Sequence, residues 1–313
     1  MAVTSLMLGA FTISPGEVLA WLTGTGDSES NAATLRVLSS IRLPRVVAAA
    51  IAGAALGAVG TVLQGVYRTS LGDPHLLGLS SAAGLGAALG YTLTPPSQMP
   101  IAPFLLAGIV AAVFALASGS LRSLMGSDRL VLAGVAFGFA LLAWTGVFVS
   151  VVDSERIPTL GFFIFGSLAG ATWKAVGTSL FLVIPSLGLL WAYGPGIDLL
   201  ALGDRDARSL GFDTRRLIPV VVAAAGVATA ASVGLAGVVG FVGLLAPFVL
   251  RPIVGPSHRV LISAAAIGGA TALVVADTVA RVVVAPTEIP LGLVTAAVGG
   301  PFLAWLLVRR SAR

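Results

Sequence analysis

Apolar residues run along this chain in long stretches, and short polar segments separate them. A helix needs about 20 apolar residues to cross roughly 30 Å of hydrocarbon, and this spacing predicts ten candidate membrane spans. They are 2–13, 46–66, 79–94, 101–118, 130–152, 176–194, 217–236, 238–254, 260–285 and 289–308. The pattern predicts an all-α, polytopic membrane protein with about ten transmembrane helices, in one domain over residues 1–313.

Two of these candidates depart from an ordinary span. The stretch 2–13 is too short to cross a bilayer, and it lacks the basic start and small-residue cleavage site of a signal peptide. We expect it to be a helix whose beginning is missing. The stretch 79–94 is short and glycine-rich, so we expect it to pack inside protein.

Composition agrees with a lipid environment. Hydrophobic residues make up 57% of the chain and charged residues 10%, with a mean hydropathy of +1.02, whereas soluble domains carry about 25% charged residues. Absence of cysteine excludes disulfides, thiolate metal sites and cysteine nucleophiles. With only His75 and His258, a histidine metal site is not expected, and no basic run indicates nucleic-acid binding.

The basic residues orient the predicted helices. With the N-terminus inside, twelve basic residues lie on the cytoplasmic side and six outside, as the positive-inside rule requires. The cytoplasmic set is Arg68, Arg122, Arg129, Arg205, Arg208, Arg215, Arg216, Arg251, Arg259, Arg309, Arg310 and Arg313, and the outer set is Arg36, Arg42, Arg45, Arg156, Lys174 and Arg281. Both termini are therefore expected in the cytoplasm.

A charged cytoplasmic stretch, 203–211, is typical of a short surface helix, because Asp204 and Arg208 stand at i,i+4 and Gly211 can end a helix. It fits a solvated connector and a helix offered to a soluble partner equally well. Within the spans, Asp277 stands at i,i+4 to Arg281, which favours a structural ion pair over a proton carrier.

The chain lacks the motifs of several enzymes. The phosphate-binding pattern G-x-x-x-x-G-K-[ST] needs a lysine after glycine, and the single lysine, Lys174, follows Trp173. We therefore expect no ATP hydrolysis, no catalytic residue, no metal site and no cofactor in this chain. An ion-coupled secondary carrier and a membrane-embedded enzyme remain alternatives, although mid-membrane ionisable groups and a catalytic cluster are not evident in the sequence.

A set of motifs follows in order from Arg42 to Arg310. They are Arg42-Leu-Pro-Arg45, Gln64 through Gly78, Gly166-Ser-Leu-Ala-Gly170, Leu202-Gly203 through Leu210-Gly211, Gly240 through Pro247, Ala276-Asp277, Ala280-Arg281, Glu288-Ile-Pro-Leu-Gly292, Thr295-Ala296 and Gly300-Pro301. This ordered set resembles the FecCD family, the permease subunits of ABC importers for iron chelates, haem and cobalamin.

The resemblance implies a permease of the bacterial cytoplasmic (inner) membrane that forms half of a dimeric translocation path. The implied partners are a second permease copy or paralogue, an extracytoplasmic substrate-binding protein and two cytoplasmic subunits that bind ATP and Mg. A ferric siderophore is the expected cargo, with haem or cobalamin as the alternatives.

The resemblance also implies roles for individual residues. Arg42, Arg45 and Arg281 would receive glutamates of the binding protein. A cytoplasmic coupling loop at about 200–216 would seat in the ATPase subunit. Its matching positions are Leu202, Gly203, Asp204, Asp206, Ala207, Arg208, Leu210 and Gly211. Thr69, Leu71, Ser127 and Asp128 match an inner gate, although ordinary turn chemistry also explains them.

Two positions depart from the family pattern. Thr69-Ser70-Leu71 stands where members commonly have Asn-Pro-Leu, and Phe248 follows Pro247 where they commonly have histidine. A group of aromatic residues, Phe162, Phe163, Phe165 and Trp173, fits an interfacial belt better than the lining of an outer vestibule.

Overall fold

The structure is a computed structural model that describes residues 5, 36–93, 102–121, 127–151, 161, 164–209, 213–285 and 287–311. Eleven α-helices lie in these ranges, and no strand does. The helices are α1 (Leu43–Tyr67), α2 (Leu79–Leu93), α3 (Ala102–Leu121), α4 (Ser127–Val151), α5 (Trp173–Ala192), α6 (Gly194–Leu202), α7 (Asp204–Ser209), α8 (Thr214–Ala236), α9 (Val242–Val254), α10 (His258–Val282) and α11 (Leu291–Ser311). The all-α prediction is confirmed.

Nine of these helices coincide with predicted spans, α7 lies in the predicted coupling loop at about 200–216, and α6 leads into that loop. The predicted span 2–13 lies outside the described residues except for Ser5. Within the described chain, four helical segments are long and apolar enough to cross a membrane: Leu38–Tyr67, Trp173–Ala192, Thr214–Ala236 and His258–Val282. The remaining predicted spans contain shorter apolar helices.

Helix α1 forms the centre of the fold. A single π-helical turn, Leu38–Arg42, leads into it, and Pro44 occupies its first turn, where a missing N–H does no harm. Its alanine, glycine and valine side chains are almost all buried, and it packs against α5, α6, α8, α9 and α10. It ends at Tyr67, and the next residue, Arg68, adopts a left-handed conformation with φ 51°.

Small residues bring α1 and α10 into backbone contact. A Cβ atom at Gly53 would overlap the carbonyl of Gly269, and one at Gly57 would overlap the carbonyl of Ala265. Close approach of this kind increases van der Waals packing between helices where lipid supplies little hydrophobic driving force. The α1/α10 pair is antiparallel, so the start of each helix meets the end of the other.

Helix α2 is short and buried along nearly its whole length, as its glycine content predicted. Helix α9 differs from the prediction at its start. It begins at Val242, not 238, because Gly237 and Phe241 have φ of 69° and 68° and the chain between them is not helical. Its 13 residues extend about 20 Å, which is shorter than the hydrocarbon thickness.

Candidate docking, coupling and gate sites

At one end of the α1/α10 pair, charged side chains from three segments meet. We call this group the Arg45 cluster: Arg42, Arg45, Asp277, Arg281 and Glu288. The Arg45 Nη2 atom lies 2.9 Å from Asp277 Oδ1, and its Nη1 lies 2.9 Å from Glu288 Oε1. A second bond, 3.0 Å from Nη2 to Glu288 Oε2, makes the Glu288 contact bidentate. Arg45 is thus held by α10 and by the α10–α11 connection together.

The ion pair predicted on α10 is present. Arg281 Nε lies 3.0 Å from Asp277 Oδ2, one helical turn away, so a single carboxylate joins both arginines. Arg281 also donates to Ser5 Oγ at 2.7 Å. Arg42 is near enough to Arg281 for their like charges to repel each other.

The members of the Arg45 cluster differ in how exposed their side chains are. Arg42, Arg45 and Arg281 are 6–7% exposed, whereas the Glu288 side chain is 40% exposed. The three arginines that match the family's docking positions are therefore brought together, but all three are largely covered, and Arg45 and Arg281 are paired with acids of the chain itself. The sequence did not predict that Arg45 would pair with Asp277 and Glu288. These acids are 232 and 243 positions away from it, and no local sequence pattern links positions so far apart.

The predicted coupling loop contains the expected short helix, α7. Gly203, with φ 130°, separates it from α6, and this conformation is one that side chains rarely adopt. Ala207 is buried, whereas Arg208 and Ser209 are exposed. The side chains of Leu202, Asp204 and Asp206, and the residues Leu210 and Gly211, lie outside the described part of the chain.

The predicted gate positions show turn chemistry. Thr69 Oγ1 accepts from the backbone N–H of Leu71 at 3.2 Å, and the N–H of Thr69 donates to the Gln64 carbonyl at 3.2 Å. Ser127 begins α4, but the side chains of Ser127 and Asp128 are not described. A gate at these residues stays a prediction.

A buried acid follows the gate positions. Asp73 Oδ1 accepts from the N–H of His75 at 2.8 Å, a turn hydrogen bond across Pro74. The carboxylate also accepts from the N–H of Leu244, so it caps the start of α9. Burial raises the pKa of the Asp73 carboxyl, although these N–H donors act in the opposite direction. Asp73 thus links the segment after α1 to the break before α9.

Of the aromatic residues singled out in the sequence, those that the structure describes lie either near the start of α5 or between α9 and α11. Phe165 and Trp173 are exposed, and Trp173 Nε1 donates to the Ser39 carbonyl at 2.8 Å, while Phe162 and Phe163 are not described. Phe248, one of the two departures, packs edge-on against Phe302 at 5.0 Å between ring centroids. It therefore joins α9 to α11.

No group of three or more His, Cys, Asp or Glu side chains is placed to hold a metal ion among the residues that the structure describes. Sequence reasoning also passed over Asp198 and His258, which join α6 to α10. The available signal was a histidine at the start of a predicted helix, and it does not identify a partner on another helix.

A model of the FecCD transport family matches residues 1–309. The chain belongs to the FecCD transport family. This match extends over almost every helix described above.

Two curated relatives and one solved structure are similar over most of their lengths. The cobalamin import permease BtuC of Halobacterium salinarum is 38% identical over 278 residues, which cover 88% of this chain and 74% of the relative. The hemin transport permease HmuU of Yersinia pestis is 35% identical, over 99% of this chain and 92% of the relative. A metal-chelate type ABC transporter in an inward-facing conformation is 26% identical, with a TM-score of 0.79, over 98% of this chain and 94% of that chain.

Proposed function

We propose that this FecCD-family chain is the transmembrane permease subunit of a binding-protein-dependent ABC importer for a ferric siderophore or related metal chelate. The observation that carries the proposal is the family match over residues 1–309. The long apolar helices support it, because a permease must place its path inside a bilayer. It would form half of a dimeric translocation path in the bacterial cytoplasmic membrane, with both termini in the cytoplasm.

ATP and Mg are assigned to a partner subunit. The single lysine, Lys174, stands in no phosphate-binding motif. We assign contact with two cytoplasmic ATP-binding subunits to α7 and its flanking residues, where Arg208 and Ser209 are exposed. Exposed apolar side chains on α5 and α10, including Phe181, Ile184 and Ile267, suit lipid or the second permease.

Docking of the binding protein is assigned to the Arg45 cluster. Guanidinium groups match carboxylates bidentately, and charges at an interface rim accelerate association. Arg45 already uses this geometry with Glu288, the most exposed acid of the cluster. A carboxylate from the binding protein would therefore meet Glu288 first and would replace it on Arg45.

The cargo assignment has two alternatives that specific observations favour. The names of the two relatives include cobalamin and hemin, and the solved structure is of a transporter of the metal-chelate type. Ferric siderophores, haem and cobalamin are all large metal chelates. The permease would receive any of them from the binding protein, which would supply most of the selectivity.

The first experiment is affinity purification of the tagged chain from its own membranes in mild detergent. We expect a co-purifying subunit that carries G-x-x-x-x-G-K-[ST]. In proteoliposomes, the complex and its binding protein should take up one of the three chelates only with ATP. Recovery of the chain alone, with uptake driven by an ion gradient, would overturn the proposal in favour of a secondary carrier.

A paired substitution locates the ATPase contact. Asp204→Ala/Arg208→Ala should abolish uptake while the protein still purifies as a folded species. Arg309→Ala is the matched control, because Arg309 is another exposed arginine that lies outside the coupling loop. Normal uptake by the paired variant would exclude α7 as the contact.

A further inference from the structure

Helix α6 is attached to the start of α10 by a group of side chains that we call the Asp198 clamp: Trp191, Asp198, His258 and Arg259. Trp191 lies at the end of α5, and Asp198 lies on α6. His258 and Arg259 are the first two residues of α10. The clamp lies at the end of the α1/α10 pair opposite the Arg45 cluster.

Asp198 caps a helix to which it does not belong. Its Oδ1 accepts from the backbone N–H of His258 at 3.0 Å and contacts the ring Nδ1 of the same residue. The first N–H groups of a helix lack partners within the helix, and a carboxylate is stabilised there. Ser257, at the N-cap position, makes no side-chain cap hydrogen bond. Asp198 therefore supplies from α6 the cap that α10 lacks locally.

The neighbouring contacts hold the end of α5 and the helix α6 against α10 and α1. The Arg259 guanidinium lies 4.6 Å from the centroid of the Trp191 ring, a cation–π distance. A Cβ atom at Gly194 would stand 3.0 Å from the backbone nitrogen of Arg259. The His258 ring is buried against Gly65 of α1, where a Cβ atom would overlap Ile197 of α6. Helices α1, α6 and α10 thus meet at one point.

Helix α6 leads directly into α7. Gly203 is the single residue between them: its N–H donates to the Leu200 carbonyl at 3.2 Å, and its own carbonyl accepts from Ala207 at 2.9 Å. Both helices therefore hydrogen-bond to the same residue, and only that residue separates them. A displacement of α7 would move α6 with it.

We propose that Asp198 and His258 are positioning residues that pass a displacement of α7 to the α1/α10 pair during transport. The pair responds as one body, because Gly53 and Gly269 hold its backbones in contact. Its far end carries Arg45, Asp277 and Arg281, about 30 Å away along α1. ATPase action at α7 and docking at the Arg45 cluster are thereby coupled. This inference rests on the proposed function, because it requires an ATPase at α7.

The test uses the whole complex of permease, ATPase subunits and binding protein, reconstituted in phosphatidylethanolamine/phosphatidylglycerol liposomes. Two quantities are measured: chelate taken up, and ATP hydrolysed with and without binding protein. Their ratio, chelate per ATP, reports coupling, which loss of folded protein alone does not change. If the wild-type protein does not associate with an ATPase, the proposed function itself is refuted. That outcome is distinct from a changed chelate-per-ATP ratio in a variant of the Asp198 clamp.

Asp198→Ala should lower chelate per ATP by about 5-fold or more, the range of typical coupling between sites. Asp198→Asn should stay within about 2-fold of wild type, because an amide oxygen still accepts from both His258 donors. Thr172→Ala is the matched control: it removes the side-chain cap of α5, whose Thr172 accepts from the Ala175 N–H at 3.3 Å, away from the clamp.

An unchanged ratio for Asp198→Ala, or an equal loss for Thr172→Ala, would overturn the proposal. If Asp198→Ala does not assemble with the ATPase, His258→Ala replaces it. That variant keeps the backbone N–H bond to Asp198 and removes the ring, which contacts both Asp198 and Gly65. It should also lower chelate per ATP, and a wild-type ratio would contradict the coupling role.

Discussion

The α1/α10 pair is joined at one end by the Arg45 cluster and at the other by the Asp198 clamp. In the Arg45 cluster, three arginines and two acids lie close together, and Asp277 bonds to two of the arginines. In the Asp198 clamp, one partly exposed carboxylate accepts from a backbone N–H and contacts a ring nitrogen. The first arrangement holds buried charges together, whereas the second attaches α6, the helix that leads into α7.

This difference indicates which end tolerates change. A buried arginine without its acid keeps an uncompensated charge, so breaking the Arg45 cluster has a high energetic cost. A helix N-terminus that loses its cap can bind water instead when it lies near the surface. The Arg45 cluster is therefore expected to determine stability, and the Asp198 clamp to determine coupling.

The largest predicted effect is that of Asp277→Ala. It leaves Arg45 with Glu288 alone and removes the acid partner of Arg281, and we expect a loss of about 3–5 kcal/mol in the free energy of unfolding. Thermal unfolding of the purified protein in detergent measures it. Glu288→Ala is the matched control and should cost about 1 kcal/mol or less, because that acid is partly exposed and Asp277 remains. Equal losses for the two variants would contradict the assignment of Asp277 as the central acid.

The second prediction concerns the middle of the pair. Gly53→Ala places a methyl group against the backbone carbonyl of Gly269, which cannot move away, and should cost about 1–3 kcal/mol. Gly188→Ala, in α5 with open space around it, is the control in the same unfolding assay. A Gly53→Ala protein as stable as the Gly188→Ala protein would refute backbone contact between α1 and α10.

The smallest predicted effect is on docking. Glu288→Gln removes the acid that competes for Arg45, so the binding protein should associate more tightly, by at most about 5-fold, as expected for an exposed pair. Surface plasmon resonance with the permease in nanodiscs measures this, and the gain should shrink at high salt. Lys174→Gln, an exposed charge outside the cluster, should leave the affinity unchanged. Weaker binding by Glu288→Gln would mean that Glu288 contacts the partner directly.

Much of the fold followed from local pattern. The predicted spans 46–66 and 260–285 correspond to α1 and α10 within a few residues, because long apolar runs have one stable structure in lipid. The Asp277–Arg281 pair was predictable from i,i+4 spacing alone. The start of α9 was misplaced, because Phe241 takes a left-handed conformation that an apolar run does not reveal.

The sequence by itself determined the apolar helices, the short charged helix α7 and the family resemblance, since each depends on residues close together in the chain. Only the tertiary structure decided which charges are already paired. Arg45 pairs with Asp277, which is 232 positions away in the sequence, and His258 contacts Asp198, which is 60 positions away. The physical reason is that a buried charge or an uncapped helix end must find a partner in space. That partner is set by how the helices pack and not by neighbours in the sequence.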